Sequence, residues 1–351
     1  MDRNRCAPDE PKTSSGRQVG AGQVTAGIAA GLLAVGIAAL LARKTQRAVQ
    51  RSPTAPAVTA DRRQECAPQA QTPAEKSRIT VRAGRRLNRA AGILAFSVLA
   101  DSAVEHYRGS FNNRAMVIPL AVSSLALAVS AHGLADRRQS AARLRHAIYI
   151  ASSLTGLLGA GFHFYNVAKR PGAISWHNLM YGAPLGAPIA MLLSGLLGAI
   201  AERVRDTRPG QRPRRVLGIP VGRGLAAVTS AGLLGTTAEA GLLHFRGAYH
   251  NPFMVLPVTL PPVASGLLAA RALSKKRDQR RFTRWWLRLT AATGLAGSIF
   301  HAYGVQRNMG GWRNWRQNIL NGPPLPAPPS FTGLALAGLA ALSLIQDHPD
   351  A

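Results

Sequence analysis

Long stretches without any charged residue constrain this chain more than any other feature. A helix that crosses the hydrocarbon core of a bilayer needs about 20 mostly apolar residues. Stretches near this length without Asp, Glu, Lys or Arg are 19–42, 115–135, 147–168, 171–201, 247–270, 289–306 and 317–346. Two further apolar runs, 90–107 and 224–245, contain acidic residues. The sequence therefore predicts an all-α fold, a polytopic integral membrane helix bundle with about nine transmembrane helices.

The composition supports this class and excludes others. Only 17% of the residues are charged and 47% are hydrophobic, although the formal net charge is +28. Two cysteines cannot build a disulfide framework, and a chain with so much apolar sequence is not a disordered one. The basic residues are divided among short loops between apolar runs, so we expect them to contact anionic lipid headgroups and expect no nucleic-acid partner.

The distribution of basic residues predicts the orientation. If the connections alternate between the two sides of the membrane, one side collects 31 Lys and Arg residues and the other collects 12. Short loops rich in Lys and Arg are retained in the cytoplasm. We therefore expect a multi-pass protein of the cell (cytoplasmic or inner) membrane, with its N-terminus outside and its C-terminus in the cytoplasm.

Two parts of the chain repeat one another. Segment 106–119 matches segment 244–257 at an offset of 138 residues, beginning His-Tyr-Arg-Gly in one and His-Phe-Arg-Gly in the other. The same offset relates His163 to His301, and an offset of 140 relates Asn178 to Asn318. Self-similarity at a fixed period indicates a repeated structural unit. Because each unit has an even number of helices, we expect two parallel four-helix repeats related by an axis along the membrane normal.

These features divide the chain into five parts. We expect an N-terminal segment with one transmembrane helix (1–47), a flexible cytoplasmic linker (48–88), the first four-helix repeat (89–203), a basic cytoplasmic linker (204–223) and the second four-helix repeat (224–351). The first linker is rich in Pro, Gln and charged residues, a composition typical of flexible segments.

Histidines that recur in both repeats are the main candidate site residues. Each repeat places two of them near the outer ends of helices that run in the same direction, His106 with His163 and His244 with His301. Paired imidazoles on neighbouring helices of a bundle are typical ligands of haem b, and imidazole also binds other metals. The sequence therefore predicts a haem-binding or metal-binding pair in each repeat.

Other recurring residues would complete such a site. Arg108 and Arg246 would bind an anionic group such as a haem propionate. Small residues beside the histidines would leave room for the macrocycle, namely Gly159, Gly161 and Gly297. The remaining recurring polar positions are Asp101, Glu239, Asn113 and Asn251. Positions five apart point about 140° apart around a helix, so Asp101 and His106 are not expected to share a face.

The sequence favours a membrane redox subunit that passes electrons between an extracytoplasmic partner and the quinone pool. One alternative is a duplicated transporter or permease, in which the His, Arg and acidic residues line a substrate or proton path. Another is a cofactor-free scaffold whose histidines cap and cross-link helix ends. No nucleotide-binding loop, zinc-protease motif or hydrolase motif is present in the sequence, so we expect a non-catalytic membrane subunit rather than a self-contained enzyme.

Overall fold

The computed structural model describes residues 73–207, 215–216, 218–273 and 280–347. This part of the chain is almost entirely helical. Its α-helices, in chain order, are α1 (Pro73–Arg108), α2 (Ile118–Ala135), α3 (Arg143–Ala168), α4 (Trp176–Tyr181), α5 (Gly186–Arg205), α6 (Val221–Arg246), α7 (Leu256–Leu273), α8 (Arg280–Arg307), α9 (Trp315–Asn321) and α10 (Pro329–Asp347). Two-residue strands β1 (Arg215–Val216) and β2 (Ile219–Pro220) pair antiparallel just before α6.

Five helical segments are long and apolar enough to cross a membrane. They are Ile79–Arg108, Arg114–Ala135, Arg143–Ala168, Gly186–Arg205 and Pro252–Leu273, and a shorter apolar helix covers Pro329–Ile345. Helices α6 and α8, which the sequence also predicts as spans, are not among the five. Gly, Thr, His, Tyr and Gln residues lower the hydropathy of the charge-free part of α8, and Gly and Thr residues together with Glu239 lower that of α6. The remaining predicted span, 19–42, lies outside the described residues.

Two of the predicted helices are broken. Residues 171–201 and 317–346 each form a short helix followed by a longer one, α4 then α5 and α9 then α10. The breaks fall at Gly182-Ala-Pro184 and at Gly322-Pro-Pro324. Proline has no N–H to continue the helical hydrogen bonds, and it disfavours helical geometry at the preceding residue. Charge-free length alone therefore overestimated both helices.

The predicted flexible linker also ends earlier than expected. Helix α1 begins at Pro73, inside the 48–88 stretch. Ala83, Leu87 and Asn88 on this early part of α1 are buried in the bundle core. Apolar burial therefore orders a segment whose composition favoured flexibility.

The core lies between four helices, α1, α5, α6 and α10. Buried residues make up 56% of the most apolar window of α1 and 61% of that of α5, but only 17% in α2 and in α3. The outer helices expose large apolar side chains instead, including Leu154, Leu158 and Phe162 of α3. Continuous apolar surface on outer helices is what a bundle surrounded by lipid tails requires.

Glycines let helix backbones approach closely at two comparable places. A Cβ on Gly156 of α3 would lie 2.7 Å from the carbonyl oxygen of Pro188 on α5, and one on Gly294 of α8 would lie 2.8 Å from that of Pro328 on α10. Small residues at such crossings allow the van der Waals contact that holds helices together in lipid.

The helices run antiparallel, so the bundle has two distinct ends. At one end, Arg85 donates to Leu134 O at 2.7 Å and Arg223 donates to Ala272 O at 2.7 Å. We call it the basic end, because the Arg-rich helix termini gather there. The opposite end carries the turns after α1, α3, α6 and α8 and the four recurring histidines, and we call it the histidine end.

Candidate functional site

Each histidine of α1 and α6 bonds to the turn that follows its own helix. Nδ1 of His106 lies 2.6 Å from Met116 O, and Nδ1 of His244 lies 2.8 Å from Met254 O. A carbonyl oxygen can only accept, so in each ring Nδ1 donates the proton. These bonds hold the α1–α2 and α6–α7 turns against the helix ends.

The histidines of α3 and α8 make the corresponding bond to the break before the next long helix. His163 Nδ1 bonds to Pro184 O, and His301 Nδ1 lies 2.7 Å from Pro324 O. All four predicted histidines are half-buried. A backbone carbonyl fixes the orientation of each ring through Nδ1, and these bonds do not involve Nε2.

The structure brings the histidines of each half near one another. The ring centroids of His244 and His301 lie 6.5 Å apart, with 69° between the ring planes. His163 lies within electrostatic range of His106. An aromatic ring covers each α1 or α6 histidine edge-on, Phe111 against His106 at 6.2 Å and Tyr249 against His244 at 6.1 Å.

The expected room for a macrocycle beside these histidines is not present at two of the three glycines. A Cβ on Gly297 would lie 2.8 Å from Pro328, and one on Gly159 would lie 3.2 Å from Pro188. The prolines of α10 and α5 fill the space that the sequence assigned to a cofactor. Only Gly161 has open surroundings, with nothing within 4 Å of its Cβ position.

The recurring arginines and asparagines have local partners. Arg108 forms a 2.7 Å ion pair with Glu105 on the surface, and the guanidinium of Arg246 lies 4.9 Å from the ring centroid of Tyr181. Asn113 and Asn251 cap the single 3-10 turns that precede α2 and α7, accepting from backbone N–H groups at 2.9 and 3.0 Å. Side-chain capping of this kind satisfies backbone donors at a helix start.

The two recurring carboxylates differ in their hydrogen bonding. Glu239 Oε1 accepts from Gly186 N at 3.1 Å, where the positive end of the α5 dipole favours a negative charge. The residue that matches Gly186 in the second half is Pro326, which has no N–H to donate. Within the described residues the Asp101 carboxylate accepts no hydrogen bond, and its charged neighbours are Glu105, Glu239 and Arg108.

The geometry does not provide a multidentate metal site in the described ranges. No group of three or more His, Cys, Asp or Glu side chains there is arranged to hold a metal ion. A non-haem site built from two histidines and a carboxylate of one repeat is therefore not seen in this part of the chain.

A second polar cluster, at the basic end, was missed by the sequence analysis. Arg145 of α3 donates to both carboxylate oxygens of Glu202 on α5, at 2.9 and 2.8 Å, and to Asp136 at 2.8 Å. The side chains of Arg145 and Glu202 are only 3% and 1% exposed. A charge this deeply buried is tolerated only when it is paired and hydrogen-bonded.

The same cluster extends through neutral groups and backbone. Tyr149 donates to Asn88 and contacts Ser130 at 3.1 Å. Arg205 donates to the carbonyls of Gly133 and Asp136 at 2.7 Å, capping the C-terminal end of α2. Together these contacts tie α1, α2, α3 and α5 at the basic end.

The second half has no counterpart of this cluster. Positions that match Asn88, Ser130, Tyr149, Arg145, Glu202 and Arg205 are Ala226, Leu268, Leu287, Thr283, Leu342 and Ile345. Recurrence in both halves singles out polar residues that are duplicated, and this set occurs in one half only. The available signal was a row of charged and amide residues bordering charge-free runs.

Comparisons with family models, with curated proteins and with solved structures found no match for this chain.

Proposed function

We propose that this chain is a polytopic protein of the cytoplasmic membrane, with about nine spans and two parallel four-helix repeats. Matching contacts in the two halves support the duplication. The bond from His106 to Met116 has its counterpart between His244 and Met254, and the cap from Arg85 has its counterpart at Arg223. The excess of basic residues at one end supports a cytoplasmic position for that end and an outside N-terminus.

Within this architecture we propose a transporter coupled to protons or small cations. The observation that carries the proposal is the hydrogen bond from Gly186 N on α5 to Glu239 on α6, which places a carboxylate where the two halves meet, together with Asp101 at the matching position on α1. One carboxylate comes from each half, at matching sequence positions. In duplicated transporters, substrate and coupling-ion sites are found where the two repeats meet.

The energetics of this pair favour a functional role over a structural one. Two carboxylates in apolar helices repel each other, and ionisable groups at membrane depth are costly. A proton or cation held between them would remove the repulsion. A purely structural contact would instead be expected to pair one acid with a base, as Arg145 and Glu202 do.

The packing between the halves also suits alternating access. Helix α1 packs along α10 over much of its length, whereas α5 and α6 meet at few positions, including the Glu239–Gly186 contact. One half can therefore tilt against the other about the α1–α10 contact. Rocking of one repeat against the other is a common mode of alternating access.

Proton flux into reconstituted vesicles tests this function. The full chain is placed in vesicles loaded with a pH-sensitive dye, and a potassium diffusion potential drives protons inward. We expect flux above protein-free vesicles, reduced to that background by Asp101→Asn or Glu239→Gln. Asp206→Asn, at the basic end, is the control and retains flux. Parental flux in both site variants would refute the proposal.

A second candidate is haem b binding in an electron-transfer subunit. The imidazole centroids of His244 and His301 lie 6.5 Å apart, so the two rings would hold the iron, but Pro328 occupies the space beside Gly297 that the macrocycle would need. In a haem-loaded protein Arg246 would bind a propionate, and quinone and an extracytoplasmic donor would be the redox partners. The purified protein would then show a haem absorption band that shifts on reduction and is lost in His301→Ala. A colourless protein without stoichiometric iron would exclude it.

A further inference from the structure

The basic end contains a groove between two helices that both pack on α10. Gly333 of α10 lies against Ala90 and Leu94 of α1, and Gly338 lies against Leu287 of α8. Helix α10 therefore forms the floor of the groove, and α1 and α8 form its walls.

Five arginines converge in this groove. The guanidinium of Arg86 donates to Ser343 Oγ on the floor at 3.1 Å. It lies within electrostatic range of four other arginines, Arg82 and Arg89 on α1 and Arg284 and Arg288 on α8. No salt bridge among the described residues joins Arg82, Arg86, Arg89 or Arg288 to a carboxylate. The cluster thus concentrates positive charge at one point.

An exposed apolar side chain follows the arginines towards the middle of the bundle. On α1, Arg82 and Arg89 are seven residues apart and so share a face. On α8, Arg288 and Leu295 are related in the same way, and Leu295 is exposed. The groove therefore offers a charged head region and an apolar body, which is the pattern of an amphipathic anion.

The repeat supplies an internal comparison, because the positions that match the five arginines lie at the start of α6 and on α3. They are Pro220, Gly224, Ala227, His146 and Ile150, none of them arginine or lysine. A general preference for basic residues on the cytoplasmic side would act on both halves alike. The concentration of arginine in one groove therefore calls for a cause specific to that groove.

We propose that this groove binds an anionic phospholipid of the cytoplasmic leaflet, with its phosphate beside Arg86 and Arg288 and its acyl chains along Leu295. A lipid with two phosphates neutralises more of the positive charge on Arg82, Arg86, Arg89 and Arg288 than a lipid with one. Basic pockets at the cytoplasmic ends of transmembrane helices have the charge that such lipids require. This inference depends on the membrane orientation proposed above, but not on proton transport or haem.

Native mass spectrometry of the full chain in detergent tests the site. The protein is titrated with cardiolipin, phosphatidylglycerol or phosphatidylcholine. We expect cardiolipin to bind most tightly and phosphatidylcholine most weakly, with the difference shrinking as salt rises. The double variant R86Q/R288Q should weaken cardiolipin binding roughly tenfold or more. R143Q/R203Q removes the same charge from exposed positions at the basic end of the first half and should bind cardiolipin as the parent does.

A second measurement uses unaltered arginines and so does not depend on the stability of the double variant. Trp285 on α8 is 54% exposed and directly follows Arg284 in the sequence. Cardiolipin with brominated acyl chains should quench tryptophan emission at lower concentration than brominated phosphatidylcholine, and Trp285→Phe should remove that difference. Equal quenching by both lipids, or unchanged cardiolipin binding by R86Q/R288Q, would overturn the proposal. Loss of lipid selectivity with intact proton flux would leave the proposed function standing.

Discussion

Arg145 shows how single residues determine stability in this bundle. Its guanidinium is buried and held by Glu202 and Asp136. Glu202→Gln keeps the shape but removes one compensating charge, so we expect destabilisation of about 3–5 kcal/mol, seen as a lower thermal midpoint in detergent. Glu105→Gln, which removes an exposed ion pair, is the matched control and should cost less than about 1 kcal/mol. Equal effects of the two variants would contradict the buried network.

Asp136 makes the stability contributed by this network depend on pH. Burial opposes ionisation of its carboxylate, but hydrogen bonds from Arg138 N–H and the Arg145 guanidinium outweigh burial and lower the pKa of Asp136. A group whose pKa is lower in the folded state stabilises the fold at pH above its unfolded value of about 3.9, and this contribution is lost as pH falls through the folded value.

The thermal midpoint should therefore fall between about pH 5 and pH 3 more steeply in the parent than in Asp136→Asn, which carries no titrating group at this position. At neutral pH the variant should be the less stable protein, because Arg145 has lost one charged partner. Parallel pH profiles for the two proteins would show that Asp136 is not coupled to folding.

At the scale of the element, the contact between α5 and α6 depends on one glycine. A Cβ on Gly186 would overlap the Glu239 carboxylate, which accepts the Gly186 N–H. Gly186→Ala should push the carboxylate away and lower both the thermal midpoint and proton flux. Gly161→Ala is the control, since its Cβ position is open and alanine favours the helix. Proton flux equal to that of the parent in Gly186→Ala would show that transport does not require the Glu239 carboxylate in this position.

Helices were predictable from the sequence where hydrophobicity alone decides. The runs 115–135 and 147–168 became α2 and α3 with small changes at their ends. The breaks before α5 and α10 were not predicted, because a charge-free run shows hydrophobicity but not where prolines interrupt backbone hydrogen bonding. The start of α1 was not predicted because charged and polar residues dominate its composition. They surround a buried apolar stripe that includes Leu87.

The candidate site was only partly predictable. Repetition singled out the four histidines, and the structure brings His244 near His301. Their carbonyl partners depend on turn geometry that spacing does not encode. The filled space beside Gly159 and Gly297 depends on where α5 and α10 pack. The Arg145 cluster was lost because its members are scattered along the chain and occur in one half only.

At the scale of the molecule, the two halves share a plan but differ in their interiors. The first half holds the buried ionic network at the basic end, the matching positions of the second half are uncharged, and the arginine groove lies between α1 of the first half and α8 of the second. The interface between the two halves is also unequal. Helix α1 packs closely on α10, whereas α5 and α6 contact each other at few positions. We infer that one half acts as the firmer frame against which the other moves.

We expect Asp101 and Glu239, one from each proposed repeat, to share the ion-binding site proposed above. A hydrophobic carbodiimide reacts with protonated carboxyl groups in apolar surroundings, so mass spectrometry of treated membranes at neutral pH counts such groups. The account predicts one label per chain, divided between Asp101 and Glu239, and a large decrease in either single variant. Two independent labels on one chain, or no label at either residue, would contradict a shared site.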